Sequence, residues 1–132
     1  MDMSMYDLTG KVAIITGSTR GIGNAIAKLM ADHGAAVVIT GRKQEACDKV
    51  AEEIKAAGGK ALGVATDVTS AEARQNLVNK TGKTFGHIDI LVNNAGTGGQ
   101  PRKMVDMDED YFDHYVQADY KALYFMSQAV AC

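Results

Sequence analysis

The chain has no tryptophan, a single proline at Pro101 and two cysteines, Cys47 and Cys132. With so few breakers, long helices and uninterrupted strands are expected. The cysteines lack metal-ligand spacing and form no disulfide framework, so they read as reduced thiols of a cytoplasmic protein. His33, His87 and His114 stand singly and read as surface or loop residues, so no metal is expected. No apolar run approaches the roughly 18 residues that a membrane span needs. The opening residues, Met1 to Asp7, show no basic segment followed by an apolar stretch, so they do not read as a signal peptide. A net charge of −2 gives no basic surface signal, which argues against nucleic acid as a partner.

What is present is a repeating alternation within 132 residues, a length that fits one domain. Lys11–Thr16 (KVAIIT) is a short apolar run followed by a Gly-rich turn. Ile22, Ile26, Leu29 and Met30 then fall on one stripe of a helix. Ala35–Thr40 is a second strand. Gln44–Ala57 is a second helix, with Ala46, Val50, Ile54 and Ala57 on one face. Ala61–Ala65 is a weaker third strand. Ser70 caps a third helix that presents Ala73, Leu77 and Val78 inward and ends near Gly86. Ile88–Val92 is the fourth strand. A polar, Gly-rich loop covers 97–107, and Asp108 caps a last helix reaching Cys132, with Glu109 and Asp110 in its first turn. Phe112, Val116, Leu123, Met126 and Val130 form its apolar stripe. The acidic group from Asp106 to Asp113 reads as a solvated helix start. Strands that are apolar throughout, each followed by a helix, predict an α/β fold with a doubly wound parallel sheet in the order 3-2-1-4.

The chemistry-bearing residues sit at strand ends. Strand one runs into Thr16-Gly17-Ser18-Thr19-Arg20-Gly21-Ile22-Gly23. Gly17 suits a tight turn, Gly21 a close approach of backbone to a pyrophosphate, and Gly23 a helix packed on the sheet. Ser18 and Thr19 add hydroxyl donors. A plain Gly-rich turn is the competing reading, weakened by the strand–turn–helix setting. After strand two comes Arg42 where an acidic residue would bind a ribose 2′-hydroxyl. An arginine there suits a 2′-phosphate, and Arg20 lends a second positive charge, which favours NADP(H) over NAD(H). Two solvated surface arginines are the alternative. Strand three ends at Asp67-Val68, where Asp67 either meets a ligand or closes a turn. Strand four ends in Asn93-Asn94-Ala95-Gly96, facing the Gly loop across the crevice at the switch point.

These motifs together, TGxxxGIG, DV and FGxIDILVNNAG, resemble the short-chain dehydrogenase/reductase superfamily from Leu8 to Val130. The resemblance implies a Rossmann-type fold of which four strands are present. It implies cofactor contacts from Gly17 to Gly23, an adenine contact at Asp67 and Val68, and a ribose contact at Asn94 beside Ala95 and Gly96. It implies hydride transfer between the cofactor and a small-molecule alcohol or carbonyl substrate. Basic residues at Arg20 and Arg42 imply NADP, and the last helix implies a homo-oligomer. The family's catalytic set is Asn, Ser, Tyr and Lys, the last two as Tyr-x3-Lys. The five tyrosines here are followed four positions on by Gly10, Tyr115, Asp119, Tyr124 and Gln128. The expectation is therefore a dinucleotide-binding domain over 1–132, ending before the Ser/Tyr/Lys region and inactive alone. Counting from Phe112, Asp119 stands at the asparagine's position; it is otherwise a polar residue on a long helix. A non-catalytic dinucleotide-binding or assembly module is the alternative function.

Overall fold

Strands without polar alternation must be covered on both faces, and the structure, a computed structural model describing residues 3–96 and 102–132, is built in that way. The elements are β1 (Val12–Ile15), α1 (Gly21–Asp32), β2 (Ala36–Gly41), α2 (Gln44–Ala56), β3 (Lys60–Ala65), α3 (Ala71–Phe85) and β4 (Ile90–Val92). All pairings are parallel and the order is β3-β2-β1-β4, as the alternation predicts. In register, Ile14 lies beside Val38 and Leu91. Ile14 and Val38 face Leu77 and Met126 on one side. Ala13, Ile15, Val37 and Ile39 face Ala27, Cys47, Val50 and Ile54 on the other. Each fully buried aliphatic contributes about 1.5–3 kcal/mol, so β1, buried at every position, is the spine of the domain.

The expected caps form. Ser70 Oγ accepts from Ala73 N at 3.2 Å, and Asp108 Oδ1 accepts from Tyr111 N at 2.7 Å. Part of the expected loop, 97–101, lies outside the described residues. The rest includes a single 3-10 turn, Met104–Asp106.

Helix faces follow the apolar stripes in part: Val50, Ile54, Leu77 and Met126 are buried as expected, and Ile26, Met30, Val78 and Val130 pack against the core, while other stripe residues do not. On α1 the buried residues are Gly23 and Ala27, while Ile26 and Met30 are half-buried and Ile22 and Leu29 are exposed. On α2 they are Cys47, Val50, Ala51 and Ile54, and Ala57 is exposed. The last segment winds without a break, as expected, but not uniformly. It divides into α4 (Glu109–Tyr115), a π-helical turn (Val116–Lys121) and α5 (Ala122–Ala131). Its buried positions are Ala118, Ala122 and Met126, four apart, whereas Phe112, Val116 and Leu123 are exposed. The physical reason is shared by both helices. Small residues let backbone approach the sheet closely, and that contact decides the face before side-chain size does. Cys47 is buried within this packing, and desolvation pushes its thiol up, so it stays protonated.

Candidate functional site

The site is assembled at the carboxyl ends of β1 and β4, where the sheet order reverses. Thr16, directly after β1, is the brace that sequence reading missed. Its buried Oγ1 accepts from Asn94 N and Ala95 N, both at 2.9 Å, and donates to Val92 O at 3.3 Å. Asn94 returns the contact: Nδ2 donates to Thr16 O at 3.1 Å and to Gly17 O at 3.0 Å. The Gly loop and the Asn93–Gly96 segment are thus locked together by direct contact rather than set apart across a crevice. Both Asn94 N–H donors are engaged inward, so Oδ1 is what this side chain has left for a ligand. Asn93 Nδ2 donates to Ser127 Oγ at 3.0 Å, which ties the same segment to α5.

Within the loop, Gly17 and Gly21 have φ of +62° and +63°, a region L-side chains rarely occupy. A Cβ on Gly23 would lie 2.3 Å from Gly17 O and 2.5 Å from Asn94 Nδ2. The first turn of α1 receives no side-chain cap from Arg20, and Gly21 and Ile22 are exposed there. A bare helix start with its positive dipole end is a place where an anion is stabilised. Ser18 departs from expectation. Its hydroxyl donates to Ile15 O at 2.7 Å and accepts from Thr40 N at 2.9 Å. It staples the ends of β1 and β2 from a fully buried position and is no free donor. Thr19 instead meets the end of β2: a Cβ on Gly41 would lie 2.8 Å from Thr19 Cγ2. Arg20 and Arg42 therefore follow two residues that are nearly in contact.

At the end of β3 Asp67 takes the turn-closing role. Its Oδ1 accepts from Thr69 N at 3.0 Å and from Thr69 Oγ1 at 2.6 Å, so it does close a turn. Those bonds, chiefly the Thr69 hydroxyl, hold its carboxyl below the usual range, and the Arg42 and Arg74 charges add to the effect. Asp67 also lines a cavity of about 530 Å³, with Arg42 and Thr69 beside it and Asp110, Asp113 and Gln117 opposite. The adjacent Val68 is half-buried, and its carbonyl accepts from Arg74 Nη1 at 2.7 Å. Asp119 lies in the π-helical turn, with Oδ1 3.3 Å from where a Cβ on Gly96 would stand. The residue counted to the asparagine's position is thus next to the last of the Asn93–Gly96 segment. Such wide turns recur at functional sites.

Residues 11–132 match the sequence model of the short chain dehydrogenase family. The chain belongs to that family. The short-chain dehydrogenase chain is 40% identical over 122 residues to tropinone reductase-like 3 of Erythroxylum coca, covering 92% of this chain and 47% of that protein. It superposes on the hydroxysteroid dehydrogenase of Escherichia coli with a TM-score of 0.92 and 37% identity, covering 98% of this chain and 55% of that one. It matches equally a 7α-hydroxysteroid dehydrogenase solved with NADH and 7-oxo glycochenodeoxycholic acid. There the TM-score is 0.92 at 37% identity, with 99% and 51% covered. The chain spans about half the length of the curated relatives it matches. Short-chain dehydrogenases are oxidoreductases that bind a dinucleotide, NAD or NADP, and a small-molecule substrate. Among the described residues, no helix of this short-chain dehydrogenase is long and apolar enough to cross a membrane.

Proposed function

We propose that this chain is the nucleotide-binding domain of a cytoplasmic oxidoreductase that moves a hydride between NADP(H) and an alcohol or carbonyl substrate. The observation that carries the reading is the bare, Gly-lined start of α1, with Arg20 and Arg42 on touching segments beside it. The residues present fit a dinucleotide. Gly21 has nothing within 4 Å of where a Cβ would stand, which leaves room for a pyrophosphate against the backbone. The amides of Gly21 to Gly23 would hold that group, Asn94 and Gly96 would line the ribose beyond it, and Asp67 and Val68 would meet the base. When bound, the cofactor supplies or takes up the hydride. Arg20 and Arg42 would supply charge-assisted bonds to a 2′-phosphate, the group that separates NADP from NAD.

Arg42→Ala is expected to weaken NADP(H) binding roughly ten- to a hundredfold, in line with the about 1.5–3 kcal/mol of a hydrogen bond to a charged group, and to leave NAD(H) nearly unchanged. Fluorescence titration of both cofactors at one ionic strength measures this. Equal losses for the two would mean that Arg42 does not read the phosphate.

The partner surface follows from the helix faces. Phe112, Tyr120, Leu123 and Tyr124 are exposed along α4, the wide turn and α5, and β4 has β1 as its one neighbour in the described sheet. An apolar patch beside an open strand edge marks an interface or an aggregation site. The 132-residue chain is expected to self-associate, giving light scattering well above the 14.0 kDa of one copy. A monodisperse monomer with one concentration-independent urea transition would overturn this. A second reading, a dinucleotide-binding module without turnover, is favoured by one observation: a carboxylate, Asp119, stands beside Gly96 where the family has an amide.

A further inference from the structure

Helix α3 carries a guanidinium on its packing face. Arg74 shares that face with Leu77 and Thr81 and is 7% exposed. Nothing in an apolar stripe asks for a charge there, and burying one without partners is costly. Among the described residues no carboxylate forms an ion pair with it. Its partners are of another kind. Nη1 donates to Val68 O at 2.7 Å, and the guanidinium lies over the Phe125 ring, 5.6 Å from the centroid. The first contact reaches the turn after β3. The second reaches α5.

That turn is otherwise held mostly by its own bonds. Asp67 Oδ1 takes both Thr69 bonds, and Ser70 N donates to Asp67 O at 3.0 Å. These bonds give the turn its shape, and Thr66 N, donating to Gly41 O at 2.8 Å, ties its start to β2. A charged donor on a rigid helix, reaching the central carbonyl, ties the turn to α3 as well. Gln117 adds a longer contact from the wide turn, Nε2 to Thr69 O at 3.5 Å.

We propose that Arg74 is a positioning residue for the adenine end of the site: its bond to Val68 O fixes how Asp67 and Val68 are presented, and its contact with Phe125 ties that turn to α5. The role rests on the cofactor reading given above. It is separate from the task of Arg42, because adenine is common to NAD and NADP.

The test uses Arg74→Met, which keeps length and apolar volume and removes the donor. Binding of NADPH, NADH, AMP and nicotinamide mononucleotide is measured on folded protein, verified by circular dichroism. The variant is expected to lose about ten- to a hundredfold in affinity for NADPH, NADH and AMP alike, as for a lost bond to a charged donor. Nicotinamide mononucleotide, which has no adenine, is expected to keep its wild-type affinity. General damage to the fold would weaken all four. Wild-type affinity for AMP in the folded variant, or a loss confined to NADPH, overturns the proposal. Should Arg74→Met fail to fold, Arg74→Leu, which also lacks a donor, takes its place with the same outcomes. Wild-type protein that binds no adenine nucleotide would instead overturn the cofactor reading, and the positioning role with it.

Discussion

Gly23→Ala is expected to abolish measurable dinucleotide binding and to lower the urea midpoint of the chain. The added methyl carbon would stand 2.3 Å from Gly17 O, 2.5 Å from Asn94 Nδ2 and 3.0 Å from Gly17 C. Carbon makes its normal contacts at about 3.5–4.0 Å, so more than an ångström must be found. Two of the three atoms are backbone, and the third is held by bonds to Thr16 O and Gly17 O. Because Asn94 giving up its bonds would still leave the clash with Gly17 O, either α1 lifts off the sheet, carrying its amides away from the crevice, or the Gly17 backbone is displaced as well. Overpacking costs about 1–3 kcal/mol or more, and each lost hydrogen bond adds about 0.5–1.5 kcal/mol. The sum is a sizeable part of the roughly 5–15 kcal/mol that holds a domain together. Gly82→Ala is the control. It lies within α3 with nothing inside 4 Å of the new carbon, and is expected to stabilise by about 0.5–1 kcal/mol. Titration with NADPH and urea melts of both variants check the pair. Undiminished binding in Gly23→Ala would show that the loop and α1 shift more freely than this packing allows.

The 132-residue chain is expected to show no NADPH-linked turnover of any alcohol or ketone. None of its five tyrosines is followed four positions on by lysine. A positioned acid–base group is worth roughly a hundred- to ten-thousandfold in rate, and Asp119 is proposed to place a carboxylate at the family's asparagine position. Binding without turnover is the expected pairing. A steady NADPH-linked rate from pure protein, abolished by Gly23→Ala, would overturn it by showing that other groups move the proton.

Strand positions were legible because they rest on the strongest local signal. Continuous runs such as Val12–Ile15 and Ala36–Gly41 leave no polar face to expose, so a sheet covered on both sides was the remaining option. Ser70 and Asp108 were legible as caps because the chemistry is contained within one helical turn. Helix faces were less so. A stripe drawn through Ile22 and Leu29 or through Phe112 and Leu123 assumes that the largest apolar side chains point inward. The contacts instead run through Gly23, Ala27, Ala118 and Ala122, where closeness of backbone decides. Ser18 looked like a ligand donor because its partners, Ile15 O and Thr40 N, come together only in the folded sheet. Arg74 was invisible for a related reason. Its guanidinium answers a carbonyl in the turn before its own helix and a ring on a helix far along the chain, and neither leaves a periodic trace.

The six residues Val116–Lys121 wind more widely than an α-helix, so the helix holds a surplus residue at that point. The surplus acts as a phase correction. Wound as ordinary α-helix, the same residues would turn everything after Lys121 by about 100° relative to α4. Met126 would then leave its place against Ile14 and Val38, and Ser127 would swing away from Asn93. The wide turn keeps two demands in step, with Asp110 and Asp113 at the rim of the cavity and Met126 in the core. Chain length is therefore unevenly tolerated here. A one-residue deletion inside 116–121 lets the helix close into regular winding with both faces still aligned, whereas a one-residue insertion early in α5 has no slack to absorb it.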